Sequence, residues 1–313
     1  MKRAFVFPGQ GSQVVGMGQE LAEAFPVARE VFEEVNDALG QKLSTLMFEG
    51  PIEELTLTEN AQPALMAVSM AVVRVLQSEG NISLGDHAAF VAGHSLGEYS
   101  ALTAVGSLEL SDAARLLKLR GQSMQQAVPV GEGAMAALLG LDFDAAKAVA
   151  EEAAQGEVCS AANDNAPGQV VISGHKGAVE RALDIAKAKG AKRAVLLPVS
   201  APFHCSLMAP AADAMAEALA GVTLQAPSVP VICNVAADVV TDPETIRNLL
   251  VEQVTGVVRW RESVEFMKSQ GIEQLVELGA GKVLSGLVRR IDRELTSANA
   301  GSSAEIEELL KSF

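Results

Sequence analysis

The stretch Gly93-His94-Ser95-Leu96-Gly97 constrains this chain more than any other. It follows a short apolar run, Ala88 to Ala92, of strand length. It precedes Glu98-Tyr99-Ser100-Ala101-Leu102-Thr103-Ala104, which opens in helical character. A serine between two glycines at a strand-to-helix corner is the pattern of a nucleophile elbow. The glycines are needed because a side chain at either flank would crowd so tight a turn. The corner lifts the serine hydroxyl out at the carboxyl end of a sheet. It also aims the first backbone N–H groups of the helix at the same point, where negative charge is favoured. The alternative is a glycine-rich turn with an incidental serine, and the flanking strand and helix argue against it.

Length and charge narrow the classes. The chain has 313 residues, 49% of them hydrophobic, enough for one large domain carrying a smaller one. No run of about eighteen apolar residues is present, so no membrane span is expected. The N-terminal residues, Met1 to Pro8, lack the features of a signal peptide. Cys159, Cys205 and Cys233 are few, odd in number and far apart. They fit free thiols in a reducing cytoplasm better than a disulfide framework or a metal site. A net charge of −15 argues against nucleic acid as a partner.

Taken in order, residues 3–7 read as a strand ended by Pro8, then a turn at Gly9-Gln10-Gly11-Ser12-Gln13. A dinucleotide fingerprint fails here, because Val14 stands where the third glycine belongs. Helical periods cover 16–36 and 62–77, the second apolar almost all round and therefore buried, with Pro63 placed in its first turn. Ser111-Asp112 reads as the cap of a helix to about Ala127. Residues 128–199 then give strand, helix, two strands, helix and strand, with Asn163 to Gly168 as the turn between the middle strands. That is the order of a ferredoxin-like unit. We place an inserted small domain at 128–199, between two stretches, 1–127 and 200–313, of a larger one. Beyond it the alternating α/β pattern resumes. Gly281-Lys282 is no phosphate loop, since Val276 and Val283 occupy positions that need glycine and a hydroxyl residue. Residues 297–304 read as a soft Ser/Ala/Gly segment.

A serine nucleophile needs a base, and the chain has four histidines. His94 adjoins the serine, so its side chain should point elsewhere. His87 and His175 sit where a strand and a helix begin. His204 lies in the irregular run Pro198 to Cys205, held by two prolines and Phe203, and is the best candidate. No Asp or Glu stands out as an orienting acid, so a backbone carbonyl is a plausible substitute. Asn163 and Asn165 are either turn formers or hydrogen-bonding groups for an amide-bearing ligand. Arg120 falls at the centre of the apolar stripe Ala113, Leu116, Leu117, Met124 and Ala127. A guanidinium on an inward face needs an anion, either an internal acid or a substrate carboxylate.

These motifs together resemble the malonyl-CoA:acyl carrier protein transacylase family, the acyltransferases of type II fatty-acid synthesis. The resemblance runs from residue 3 to about 293. It rests on Phe7 to Gln13, Gly93 to Glu98, Arg120-Gly121, Asn163 to Gly174, and His204. It implies an α/β fold, an α/β-hydrolase-like large domain on a parallel sheet with a ferredoxin-like insertion. It implies Ser95 as nucleophile, His204 as base, and the N–H groups of Gln10 and Leu96 as an oxyanion hole. Arg120 would bind the malonyl carboxylate, the carbonyl of Gln253 would orient His204, and His94 would lie near the acyl group. Related polyketide acyltransferases that take malonyl units tend to carry His-Ala-Phe-His; those that take methylmalonyl tend to carry Tyr-Ala-Ser-His. Ala201-Pro202-Phe203-His204 shares only the aromatic with the first pattern. The malonyl assignment leans on Arg120 more than on Phe203. The expected partners are malonyl-CoA and acyl carrier protein, with neither metal nor cofactor, in a cytoplasmic monomer. An acidic carrier would need a local basic patch on so acidic a chain, and Lys192, Arg193, Arg289 and Arg290 are the candidates.

Overall fold

The computed structural model describes residues 1–199 and 201–313. Ser200, where the sequence reading reopens the large domain, lies outside the described residues. The described residues form ten strands: β1 Arg3–Phe7, β2 Phe90–Gly93, β3 Gly133–Leu139, β4 Cys159–Ala166, β5 Gln169–His175, β6 Arg193–Leu196, β7 Val231–Cys233, β8 Asp238–Val240, β9 Gln274–Leu278 and β10 Thr296–Ala300. They form two sheets. One has the order β10-β9-β1-β2-β7-β8, parallel except for β8. The other, β4-β5-β3-β6, is antiparallel throughout. The molecule is thus mixed α/β, a parallel-rich sheet beside a separate antiparallel one. No described helix is long and apolar enough to cross a membrane.

Strand β1 is buried at every residue, as a central parallel strand covered on both faces must be. Its side chains alternate between two cores. Phe5 and Phe7 join the core beneath the helix Thr58–Gly80, while Ala4 and Val6 join Trp260 and Leu284 on the opposite face. A third core lies between the antiparallel sheet and the helices Phe143–Ala154 and Lys176–Ala188.

Several elements differ from the sequence reading, each for a local reason. The helix expected over 16–36 is two, Gln19–Ala24 and Pro26–Leu39, because Pro26 has no N–H to continue the first and opens the second. The buried helix starts at Thr58, so Pro63 lies inside it rather than in its first turn. Ser111 is no cap: the helix is Leu110–Gln126, with Glu109 at its N-cap and no side-chain capping bond. Asn163 to Ala166 are strand rather than turn, the reversal being confined to Pro167-Gly168. Two register shifts in β4, between Ala161 and Asn163 and between Asp164 and Ala166, break the alternation that would have marked it as strand. His87 ends the short helix Leu84–His87 instead of starting a strand. The soft segment at 297–304 contributes β10 and the start of a helix, Ser303–Leu310, capped by Ser302.

Candidate active site

The sharp corner between β2 and the helix Gly97–Ala104 comes first, because it dictates where Ser95 points. Ser95 has φ 54°, a left-handed conformation that costs a non-glycine residue roughly 1–3 kcal/mol. A Cβ on Gly93 would come 1.9 Å from the carbonyl of Gly97, and one on Gly97 would come 2.3 Å from the carbonyl oxygen of Phe7. Only glycine lets the chain double back so closely on itself and on β1. Asn234, just after β7, staples the corner. Its Oδ1 accepts the Ser95 N–H at 2.8 Å and its Nδ2 donates to Gly93 O at 2.6 Å.

The structure brings His204 to the serine, with Nε2 2.8 Å from Ser95 Oγ. Its Nδ1 is 2.9 Å from the backbone oxygen of Gln253, at the end of the helix Pro243–Thr255. A carbonyl can only accept, so Nδ1 carries the proton and Nε2 is free to take one from Ser95. His204 is buried, also in the left-handed region at φ 57°. Burial, reinforced by the nearby Arg120 guanidinium, pushes its pKa down to about 3. The ring is therefore a neutral base at any physiological pH.

Arg120 lies 1% exposed on the helix Leu110–Gln126. Its Nη1 donates to Gln62 Oε1 at 2.8 Å, and its Nη2 donates to Gln253 Oε1 at 2.8 Å and to Ser95 Oγ at 3.1 Å. All three acceptors are neutral. Among the described residues no carboxylate forms an ion pair with it, so the internal salt bridge left open by the sequence is not made. Gly121 explains how the cation arrives there. A Cβ at Gly121 would fall 2.5 Å from the Cα of Glu59, so its absence lets this helix press against Thr58–Gly80, which carries Gln62.

The Gln10 and Leu96 N–H groups have no hydrogen-bond acceptor among the described residues, and both residues border the same cavity as Ser95. The Gln10 side chain turns away, to Thr58 Oγ1 at 3.3 Å. His94 points across to β4, with Nε2 2.8 Å from Asn165 Oδ1 and its ring beside Trp260. Burial lowers its pKa, so it too is neutral. Asn163 is buried on β4 and lines the cavity, as does Phe203. The cavity has a volume of about 510 Å³ and lies between the two sheets, closed on a third side by Val283, Leu284 and Leu287. Lys192, Arg193, Arg289 and Arg290 are exposed, and Arg290 reaches Gln169 at the cavity's edge. Among the described residues no group of three or more His, Cys, Asp or Glu side chains is placed to hold a metal.

Sequence reasoning passed over Gln62, Glu98 and Asn234. Gln62 could have been noticed as the polar start of an otherwise apolar helix. Asn234 and Glu98 carry no such signal, because their role depends on where β7 and the elbow meet. The arrangement as a whole can deprotonate a serine, hold an oxyanion, and receive an anionic group beside the reacting centre.

Residues 4–310 match the family model described as acyl transferase domain. The chain is 52% identical over 295 residues, 94% of each chain, to the malonyl CoA-acyl carrier protein transacylase of Escherichia coli strain K12. The crystal structure of the acyl-carrier-protein-S-malonyltransferase from Bartonella henselae superposes with a TM-score of 0.97 at 57% identity, covering 100% of this chain and 99% of that one. A malonyl-transacylase in complex with its type II PKS acyl-carrier protein superposes with a TM-score of 0.96 at 48% identity, covering 100% of both chains.

Proposed function

This chain belongs to the acyl transferase family, and we propose that it moves malonyl groups from malonyl-CoA to the phosphopantetheine thiol of acyl carrier protein, supplying fatty-acid synthesis. The observation that carries this reading is the buried guanidinium of Arg120, which lacks an acid partner and donates to Ser95 Oγ at 3.1 Å. An acyl group attached to that oxygen and ending in a carboxylate supplies an anion in direct contact, which the free protein does not offer. Of the five guanidinium N–H groups, three are used in the free protein. Two remain, one Nη1–H and the Nε–H, which is buried without a partner among the described residues, and acylation weakens the claim of Ser95 Oγ on another.

The reaction runs in two halves. His204 Nε2 takes the proton as Ser95 Oγ attacks the thioester carbon. The oxyanion is held by the N–H groups of Gln10 and Leu96, each such donor worth roughly a hundredfold or more in rate. Collapse breaks the carbon–sulfur bond, and the coenzyme thiolate leaves with the proton from His204. The carrier's thiol then gives its proton to His204 and attacks the malonyl ester, and Ser95 leaves as the alcohol. His94 and Asn163 border the acyl group, Phe203 narrows the room for a branch, and the Gln253 carbonyl holds His204 in the right tautomer. The reading calls for no metal or prosthetic group on this chain.

The strand orders support a finer reading of the fold, with an α/β-hydrolase-like domain formed by 1–127 and 200–313 and a ferredoxin-like domain by 128–199. The reading takes a monomer as the working unit; a sedimentation mass of two chains would overturn that. The reading also places the enzyme in the cytoplasm, where thiols stay reduced, as three free buried cysteines allow.

Incubation with malonyl-CoA, with and without carrier protein, tests the function directly. Without carrier one malonyl group should accumulate on Ser95, seen by intact mass and peptide mapping, and with carrier it should move on to the carrier. Free malonate instead would mark a hydrolase, and label retained in Ser95→Ala would remove Ser95 as nucleophile.

A further inference from the structure

Glu98 is an acid buried against the site that the mechanism above does not use. It is 1% exposed. Its Oε2 accepts the Asn234 N–H at 2.9 Å and Gln253 Nε2 at 3.1 Å. Its Oε1 has no hydrogen-bond partner among the described residues. The same Gln253 amide turns its Oε1 to Arg120 Nη2 at 2.8 Å. One primary amide therefore lies between a buried cation and a buried acid, carbonyl toward the guanidinium and NH₂ toward the carboxylate. That is the orientation the two charges demand.

The anionic side chains acting on Arg120 are Tyr99 and Glu98. Burial raises Tyr99 to about 12, so the phenol stays neutral and Glu98 alone can balance the guanidinium. The titratable or charged groups facing Glu98 are Tyr99 on its own helix, Arg120 on Leu110–Gln126 and Cys233 on β7; Gln253 faces it from Pro243–Thr255 without a charge. Burial pushes the Cys233 thiol up as well, so neither it nor Tyr99 exchanges a proton near neutrality. Burial raises Glu98 itself to about 7, against the pull of Asn234, Gln253, Cys233 and Arg120.

Seating a carboxylated acyl group on Arg120 brings a second anion into the same dry space. Two carboxylates served by one guanidinium do not both stay ionised, and the proton goes to the one already close to taking it. We infer that Glu98 is the resident counter-charge of Arg120, linked through the Gln253 amide, and that a malonyl group replaces it in that role while Glu98 takes up one proton from solvent. The step is carboxylate plus proton to carboxylic acid, with no other bond changed. Glu98 Oε1 can accept the proton without giving up either bond to Oε2. A neutral acyl group brings no anion, and no proton follows it. The buried site thus keeps its net charge when malonate arrives. This inference rests on the malonyl-transfer reading.

The test uses the full chain and stoichiometric malonyl-CoA in weakly buffered solution at about pH 7.5, with an indicator dye, malonyl-Ser95 being measured in the same samples by intact mass. Exchanging a thioester for an ester neither takes up nor releases a proton when the coenzyme leaves as thiol. A rise of one unit from about 7 then gives an uptake of about half a proton per malonylated enzyme. In Glu98→Gln, which keeps an acceptor for Asn234 and Gln253, the uptake should vanish although Ser95 is still malonylated. The wild-type kcat/KM for malonyl-CoA should fall between about pH 6.5 and 8.5, by about tenfold in all and about threefold per pH unit at its steepest, and then level off, because binding that consumes a proton weakens as protons become scarce; the variant should lack that fall. If the variant does not fold, infrared difference spectra of wild-type protein labelled with ¹³C-glutamate replace it. They should gain a protonated carboxyl band on malonylation and none on acetylation. Malonyl-Ser95 forming without uptake, uptake that survives Glu98→Gln, or no glutamate band would overturn the inference. Failure to form malonyl-Ser95 at all would instead overturn the transfer reading beneath it.

Discussion

At Arg120 the guanidinium touches two amide oxygens and a hydroxyl, and no acid. Removing a cation from a direct buried ion pair strands a charge and costs about 3–5 kcal/mol; here Arg120→Ala opens room on the cavity for water to reach the Gln62 and Gln253 oxygens, and Glu98, left without its counter-charge, takes a proton instead of staying a stranded anion. We expect a modest drop in melting temperature. Malonyl transfer should fall by roughly a hundredfold or more, the worth of a buried charge-assisted contact, while acetyl transfer holds or rises. The malonyl-to-acetyl ratio of kcat/KM checks this, and an unchanged ratio would refute carboxylate recognition by Arg120. The position of Arg120 was legible because a helical period shows which way each residue faces. Its partners were not. Gln62 and Gln253 reach it from helices 58 residues before and 133 after, and no local pattern encodes such a meeting. Ser95 and His204 were legible for different reasons, one from its glycine frame and the other by elimination among four histidines.

Among the elements, the elbow and β4 mark the two extremes of legibility. The elbow announces itself because its geometry admits only glycine at 93 and 97. Gly93→Ala would set a methyl 1.9 Å from the Gly97 carbonyl, a clash only backbone movement can relieve. Such overpacking against main chain should cost at least about 3 kcal/mol, read from urea denaturation, and should displace Ser95 so that malonyl-Ser95 no longer accumulates. Full stability in this variant would mean that the corner is looser than described. Strand β4, by contrast, hides. Asn163-Asp164-Asn165 has the composition of a turn, and two bulges erase the alternation by which a strand is recognised. What keeps it extended is remote. The Asp164 N–H donates to Val258 O, the Val258 N–H donates to Ala162 O, and Arg261 grips the Asp164 carboxylate through Nε and Nη2.

Across the whole molecule, the charge of −15 makes approach to an acidic carrier unfavourable except where cations gather. Arg289 and Arg290 end the helix whose first turns close the cavity. Reversing both to Glu should raise KM for carrier protein severalfold, more at low salt, and leave KM for malonyl-CoA nearly unchanged; equal effects on both would point to a folding defect. The same view gives the ties between β4 and Val258 a larger meaning. They fasten the antiparallel sheet to the segment between the helices Pro243–Thr255 and Trp260–Ser269, where Val258 packs on the parallel sheet against Ala4, Val6 and Ile232, so the two walls that face each other across Ser95 are riveted rather than hinged. A riveted slot behaves as a go/no-go gauge. It measures a guest at the threshold and has no later closing stroke in which to correct a bad fit. Methylmalonyl-CoA should therefore be refused mainly as weaker binding, with the acylation rate of the bound fraction changed much less. Solution scattering should give the same radius of gyration with and without malonyl-CoA, and a contraction on binding would show that the slot closes after all.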